Sequence, residues 1–255
     1  QNSIVFIPNG LMFQSDKGIW LLGRDLTTSY IGAPVEDFNS YTVLSAVAVP
    51  GTNQARFTLS NGVVLVYDYF FDQWSTFYGI NNISATLYEG KHTILNQYGN
   101  VLQETSDAYV DGSRPVTIEL TTGWINVADL QGYQRAYMMN ILGNYVSPHT
   151  LTVKIAYDYN DTPTQTTVIT PLQTSTTYGS DTIYGGSSVF GGLSSVEQWR
   201  IYFENQKCEA FKVTIIENYD STSGVTAGAG LTLSGLNLVV GVKRGYSRLP
   251  AAQSV

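Results

Sequence analysis

The sequence predicts an all-β protein, with partial β-propeller blades over residues 1–112 and a β-sandwich or jelly roll over residues 113–245. Three observations carry this expectation. A glycine-centred hairpin returns three times near the start, the composition suits short strands and polar turns, and apolar residues beyond residue 112 alternate with polar ones. At 255 residues the chain can bury one large core or two smaller ones. Only 13% of the residues are charged, against 18 tyrosines and 24 glycines, which fits aromatics packed between sheets better than solvated helices.

The first hairpin reads as strands over 11–14 and 19–22, joined by Ser15, Asp16, Lys17 and Gly18, with the glycine where a positive φ is needed. The same figure recurs over 57–65 around Gly62 and over 94–102 around Gly99. Each copy has an apolar residue five before the glycine (Phe13, Phe57, Ile94) and a leucine three after it (Leu21, Leu65, Leu102). The glycines are 44 and then 37 residues apart. A period near ~40 made only of strands and turns is the signature of a propeller blade, whereas a helical solenoid would need a 3.6-residue period.

Between the first two copies, residues 45–49 form a strand ended by Pro50 and Gly51. Residues 67–77 read as a strand, a turn and a return strand headed by Trp74. A tryptophan there packs between adjacent blades, and Trp20 is the candidate interface residue of the first hairpin. Three repeats cannot close a ring that takes 4 to 8 blades. Either more blades lie upstream of Gln1, making 1–112 the C-terminal part of a larger propeller, or the hairpins belong to something smaller. A first residue that is Gln rather than Met suggests that what precedes it is processed away or not shown.

Gly112, Arg114 and Pro115 punctuate the chain, and longer alternating strands follow: Val116, Ile118 and Leu120; Leu151, Val153, Ile155, Tyr157 and Tyr159; Trp199, Ile201 and Phe203; Phe211, Val213 and Ile215; Leu236, Leu238, Val240 and Val242. Residues 135–144 are a further strand, ambiguous at Met138 and Met139. Each has one apolar and one mostly polar face, as sheets packed face to face require. Residues 174–192, with Tyr184 and Phe190, form a glycine- and aromatic-punctuated insertion. Such loops carry function or contact a partner, the alternative being a disordered surface loop. Residues 246–255 are a C-terminal tail.

Thirteen Lys and Arg against twenty Asp and Glu give a formal charge of −7 and a pI near 4.7, so no diffuse positive field draws in nucleic acid or anionic lipid. The one local basic cluster is Lys243, Arg244 and Arg248. Cys208 is the single cysteine, which excludes an intramolecular disulfide, and His92 and His149 lie in different halves, so no His/Cys metal site is expected. No apolar run approaches the ~20 residues of a membrane-spanning helix. Glu36 with Asp37, Asp68 with Asp72, and Asp158 with Asp161 are carboxylate pairs that glycosidase chemistry could use, although turns collect carboxylates in any case. Residues 158–162 have oxygen ligands at a spacing calcium could use, but lack the glycine and distal Glu of an EF-hand loop. There is no nucleophile elbow, Walker loop or H-E-x-x-H. No catalytic, metal-binding or cofactor-binding residue is expected, and no cofactor.

The run F-Q-S-D-K-G-I-W-L-L-G-R-D-L…Y-I-G-A-P-V-E-D-F-N over 13–39 resembles the tail hub, or nozzle, proteins of short-tailed bacteriophages, also known as packaged DNA stabilisation proteins. So do L-V-Y-D-Y…Q-W-S-T-F over 65–77 and V-G-V-K-R-G-Y-S-R-L-P over 240–250. The resemblance implies a structural protein of the virion tail with a propeller, forming a homo-oligomeric, hexameric ring below the portal and adaptor. Such a ring lines the exit channel, passes genomic double-stranded DNA without tight binding, and carries tail fibres, spikes or a plugging needle. Lys243 and Arg244 would then make subunit or adaptor contacts. Two alternatives stand beside it: a glycan-binding or glycan-cleaving propeller, and a receptor-binding adhesin module built on the sandwich.

Overall fold

The computed structural model describes residues 2–106, 108–112, 114–128, 133–145, 149–170, 197–219 and 230–242. The insertion with Tyr184 and Phe190, the tail, and Lys243 and Arg244 lie outside these residues. The protein is nearly all β and divides into two compact units, Gln1–Gly112 and Ser113–Val255.

Three consecutive antiparallel meanders make up the first unit. The first sheet runs in order through β1 (Val5–Ile7), β2 (Gly10–Ser15), β3 (Gly18–Gly23) and β4 (Thr28–Tyr30). The second runs through β5 (Val43–Val49), β6 (Gln54–Leu59), β7 (Val64–Asp68) and β8 (Gln73–Phe77). The third has β9 (Asn82–Tyr88), β10 (Lys91–Asn96) and β11 (Val101–Gln103). Two-residue strands β12 (Val110–Asp111) and β13 (Arg114–Pro115) flank the division.

The three glycine hairpins fall in three separate sheets, each between the second and third strands. Gly18, Gly62 and Gly99 have φ of 104, 82 and 81°, a region that favours glycine. The turns at Gly62 and Gly99 close alike, with amide bonds from Gly62 to Leu59 and from Gly99 to Asn96. The first hairpin differs by one step. Ser15 pairs with Gly18, so Phe13 faces Trp20, whereas Phe57 faces Leu65 and Ile94 faces Leu102. Leu21 is therefore not the counterpart of Leu65 and Leu102. A one-residue slip in register sends every later side chain to the other face, and Trp20 takes that place.

The first core joins the first two sheets. Val5, Ile7, Met12 and Ile19 from one meet Ala55, Phe57, Leu59, Leu65 and Tyr67 from the other, with Val35 from the 3-10 turn Ala33–Phe38. Phe57 is fully enclosed. Trp74 packs at 4.9 Å from Tyr67 and donates its indole N–H to the carbonyl of Ile31 at 2.8 Å, tying β8 to the segment after β4. Successive sheets also meet through their first strands: β5 lies beside β1, and β9 beside β5.

The second unit contains β14 (Glu119–Thr121), β15 (Gln134–Tyr145), β16 (His149–Tyr157), β17 (Gln165–Ile169), β18 (Glu197–Tyr202), β19 (Lys207–Cys208), β20 (Phe211–Tyr219) and β21 (Leu231–Val242). One antiparallel sheet runs β14-β20-β16-β17, and in the other β15 pairs with β18, β19 and β21. Their buried faces supply one cluster: Met139 and Ile141, Val153 and Ile155, Ile201 and Phe203, Phe211, Val213 and Ile215. Met139 is the buried member of the ambiguous pair, and a register shift between Ala136 and Met138 restores the alternation. Tyr159 is not in the strand. It sits with Asp158 in the turn to β17, both with positive φ. Residues 116–118 precede β14 rather than belonging to it.

Phe57→Ala is expected to lower stability by about 3–5 kcal/mol through the cavity it leaves. Phe70→Ala, at a 71% exposed turn position, should change it by less than about 0.5 kcal/mol. Urea denaturation midpoints of the two variants check this contrast.

Candidate functional site

Three clusters of polar or aromatic side chains are candidates, the first two built by strand alternation and the third mostly from turns and loops. In β6, Ala55, Phe57 and Leu59 face the first sheet, so Gln54, Arg56 and Thr58 face the third. Arg56 is 5% exposed. Its guanidinium donates to both carboxylate oxygens of Glu104, at 2.7 and 3.3 Å, and to Gln54 Oε1 at 3.0 and 2.8 Å, and lies 5.4 Å from the centre of the Phe77 ring. This fork satisfies a charge that burial would otherwise make costly. His92 sits beside it on β10, 7% exposed. Burial and then the Arg56 guanidinium push its imidazole down to about 4, only partly countered by Glu104. Asn82 on β9 is enclosed too. Its amide and His92 Nε2 find no hydrogen-bond partner among the described residues. Ser45 of β5 bonds the backbone of Ala85 in β9, donating to the carbonyl at 3.2 Å and accepting from the amide at 3.1 Å. The face between the second and third sheets is thus polar, unlike that between the first and second.

In the second unit, His149 and Glu217 occupy inward positions of neighbouring strands, with Nδ1 and Oε1 2.9 Å apart and both residues buried. Glu217 also accepts the amides of Ile118 at 3.1 Å and Leu231 at 3.0 Å. A carboxylate in β20 thereby fixes the approach to β14 and the start of β21, which belongs to the other sheet. Gln165 makes a second tie, accepting from Tyr157 Oη and the Glu204 amide while donating to the Tyr202 carbonyl. Gln134 makes a third, through Ile125 and Val127. All four residues sit where the period-2 pattern calls for an apolar side chain, the one sequence signal that marks them.

The third cluster is half-buried, with Tyr159 and Asp161 its exposed members. Trp124 and Tyr159 stand 5.3 Å apart, Lys212 Nζ lies 5.0 Å from the Trp124 ring and pairs with Asp161, and Asn126 donates to Tyr159 Oη at 3.2 Å. Tyr159 holds this position with φ +60°.

Several other residues singled out from the sequence occupy structural positions. Asp68 accepts the amides of Phe70 and Phe71, Asp72 accepts the Tyr67 hydroxyl, and Asp158 accepts the Glu209 amide. Burial, with help from Asp72, pushes Tyr67 up to about 12. Cys208 is buried, and burial pushes its thiol up to about 11, so it is a core residue rather than a nucleophile. Trp20 stacks at 5.3 Å on Tyr30. Among the described residues no group of three or more His, Cys, Asp or Glu could hold a metal ion, and no helix is long and apolar enough to cross a membrane. No protein-family model and no curated protein matches the chain.

His92 gives a pH dependence with a definite sign. Its imidazole protonates near 6.5 in the unfolded chain and near 4 in the fold, so the unfolded state gains the proton first. The contribution is fully present above about pH 6.5 and is lost as pH falls towards 4. Stability measured across that window should decline, and His92→Gln should flatten the decline. Gly230→Ala should destabilise the second unit, because a Cβ there would overlap the Glu217 carboxylate; thermal unfolding of that variant measures the cost of breaking the tie.

Proposed function

We propose that the chain is a structural component of a short-tailed bacteriophage virion, part of the tail hub or nozzle. Its first unit is a run of propeller blades and its second a β-sandwich. The observation that carries the architectural part is the succession of three meander sheets, each with a positive-φ glycine between its second and third strands and each touching the next through its first strand. Two sheets sharing one core support the sandwich. The assignment to a phage tail rests on the motifs over 13–39, 65–77 and 240–250.

In this reading the protein is not an enzyme. In two of the three carboxylate pairs that could have served glycoside chemistry, Asp68 with Asp72 and Asp158 with Asp161, the carboxylates are occupied by backbone amides, a tyrosine hydroxyl and a lysine, while Glu36 and Asp37 lie exposed on the 3-10 turn. The ring is hexameric, sits under the portal and adaptor, anchors fibres, spikes or a needle, and passes duplex DNA without gripping it. A net charge of −7 suits a lumen that does not bind phosphates. The adhesin alternative is favoured by one observation, the pair of half-buried Trp124 and exposed Tyr159 fringed by Asn126, Asp161 and Lys212, because aromatic faces with polar edges suit sugars.

Electron microscopy of intact virions tests the assignment, with density for this chain expected in a ring between the adaptor and the fibres. Incubation with host surface polysaccharide should release no oligosaccharide. Release that disappears on substituting one of the carboxylate pairs would overturn the structural role.

A further inference from the structure

The sheet of β15, β18 and β21 has two faces of different chemistry. Its buried face carries Met139, Ile141 and Ile201. Alternation turns Asn140, Arg200 and Asn237 to the other side, and register sets them in one row, with Arg200 and Asn237 each opposite Asn140. Asn140 is 8% exposed, sunk in the middle of the row, and its Oδ1 accepts from Arg200 Nε at 3.3 Å. That bond orients the guanidinium, leaves both its Nη groups, and turns the amide N–H groups of Asn140 away from the charge. Arg200 has no carboxylate within ion-pairing distance among the described residues. The outward positions of the three strands hold no Asp or Glu, although the chain as a whole stands at −7. Beside the row, Tyr202 is 62% exposed on β18, and on β21 a Cβ added at Gly235 would meet nothing within 4 Å, so the surface next to Asn237 is open. Two further tyrosines are already engaged by cations: the Arg135 guanidinium lies 6.0 Å from the centre of the Tyr137 ring, and Lys207 Nζ 4.4 Å from that of Tyr133.

We propose that the Arg200–Asn140–Asn237 row is a binding site for a carboxylate-bearing sugar. The Nη groups of Arg200 take the carboxylate, Asn140 and Asn237 take ring hydroxyls, and Tyr202 packs on the C–H face of the ring. Charge complementarity selects this ligand. A planar guanidinium with its end-on N–H fork free matches a carboxylate, and a neutral sugar would leave that charge unused. Single-stranded nucleic acid needs a series of free aromatic faces on which to stack its bases. Of the tyrosines on or beside this face, Tyr202 alone is not engaged by a cation among the described residues. The site shares no residue with the Trp124 cluster, which involves Lys212 of the other sheet. The inference rests on the two-sheet architecture of the second unit and not on the virion role.

Affinity electrophoresis of the 255-residue chain through gels holding polygalacturonate, polysialic acid, dextran or single-stranded DNA tests it. At least one of the two acidic polysaccharides should retard the chain, and which does so separates a hexuronic from a sialic acid ligand. Dextran should not retard it. Arg200→Gln should weaken the retardation at least about tenfold. Gly235→Leu, which fills the open surface and leaves the charge in place, should weaken it severalfold. Lys154→Gln removes the same charge from the other sheet and should leave it unchanged. Retardation by neither acidic polymer, by dextran, or by DNA as strongly as by the polysaccharides would overturn the proposal. So would binding that survives Arg200→Gln, or that falls equally in Lys154→Gln. None of these outcomes bears on whether the protein stands in a tail ring, which electron microscopy of virions decides separately.

Discussion

The central strands of the second sheet have no solvent face, and the rest of the first unit follows from that constraint. Ala55, Arg56, Phe57, Thr58 and Leu59 are buried in succession, as are Val63, Val64, Leu65, Val66 and Tyr67. A half-buried antiparallel strand needs only alternate apolar residues, but these strands must satisfy a neighbour on each side. On one side apolar area is removed from water around Phe57. On the other the strand carries Arg56 and Thr58, and burial there is tolerable because Gln54 and Glu104 fill the guanidinium's donors. The two interfaces thus differ in kind. The apolar one contributes stability, and the polar one penalises any sheet that cannot present a carboxylate to Arg56.

The second unit meets the same difficulty with buried amides and one carboxylate. Gln134, Gln165 and Glu217 replace backbone partners where strands end or change sheet, so the sheet margins are tied without further strands. Such ties are geometrically exacting, since removing one partner strands a buried group. Both units are assembled from interactions remote in sequence, such as Arg56 with Glu104 and Ile118 with Glu217. Scaffolds of this kind fold slowly, because loop closure precedes the contacts that offset it.

The sequence made the β class legible, because alternation and turn glycines are local signals. The hairpins at Gly18, Gly62 and Gly99 could be read from a few residues each. Which leucine matched which could not, because a one-residue difference in turn register between Ser15–Gly18 and its counterparts is set by backbone geometry that residue spacing does not encode. The strand over Leu151 to Tyr157 was plain, but its end was overrun: Tyr159 has strand propensity, yet the turn closed by the Asn160 amide on the Tyr157 carbonyl holds it in the left-handed region. The polar interior was the least legible part. Arg56 reads as a surface residue until Glu104, 48 positions later, is known to face it.

Amide hydrogen exchange of the 255-residue chain tests most directly whether the first unit is a stack of sheets in which the middle one is held on both faces. The amides of β6 and β7 should exchange more slowly than those of β2 and β3, which hold the same central places in a sheet that packs on one face within the first unit. Equal protection of the two pairs, or faster exchange in β6 and β7, would contradict it.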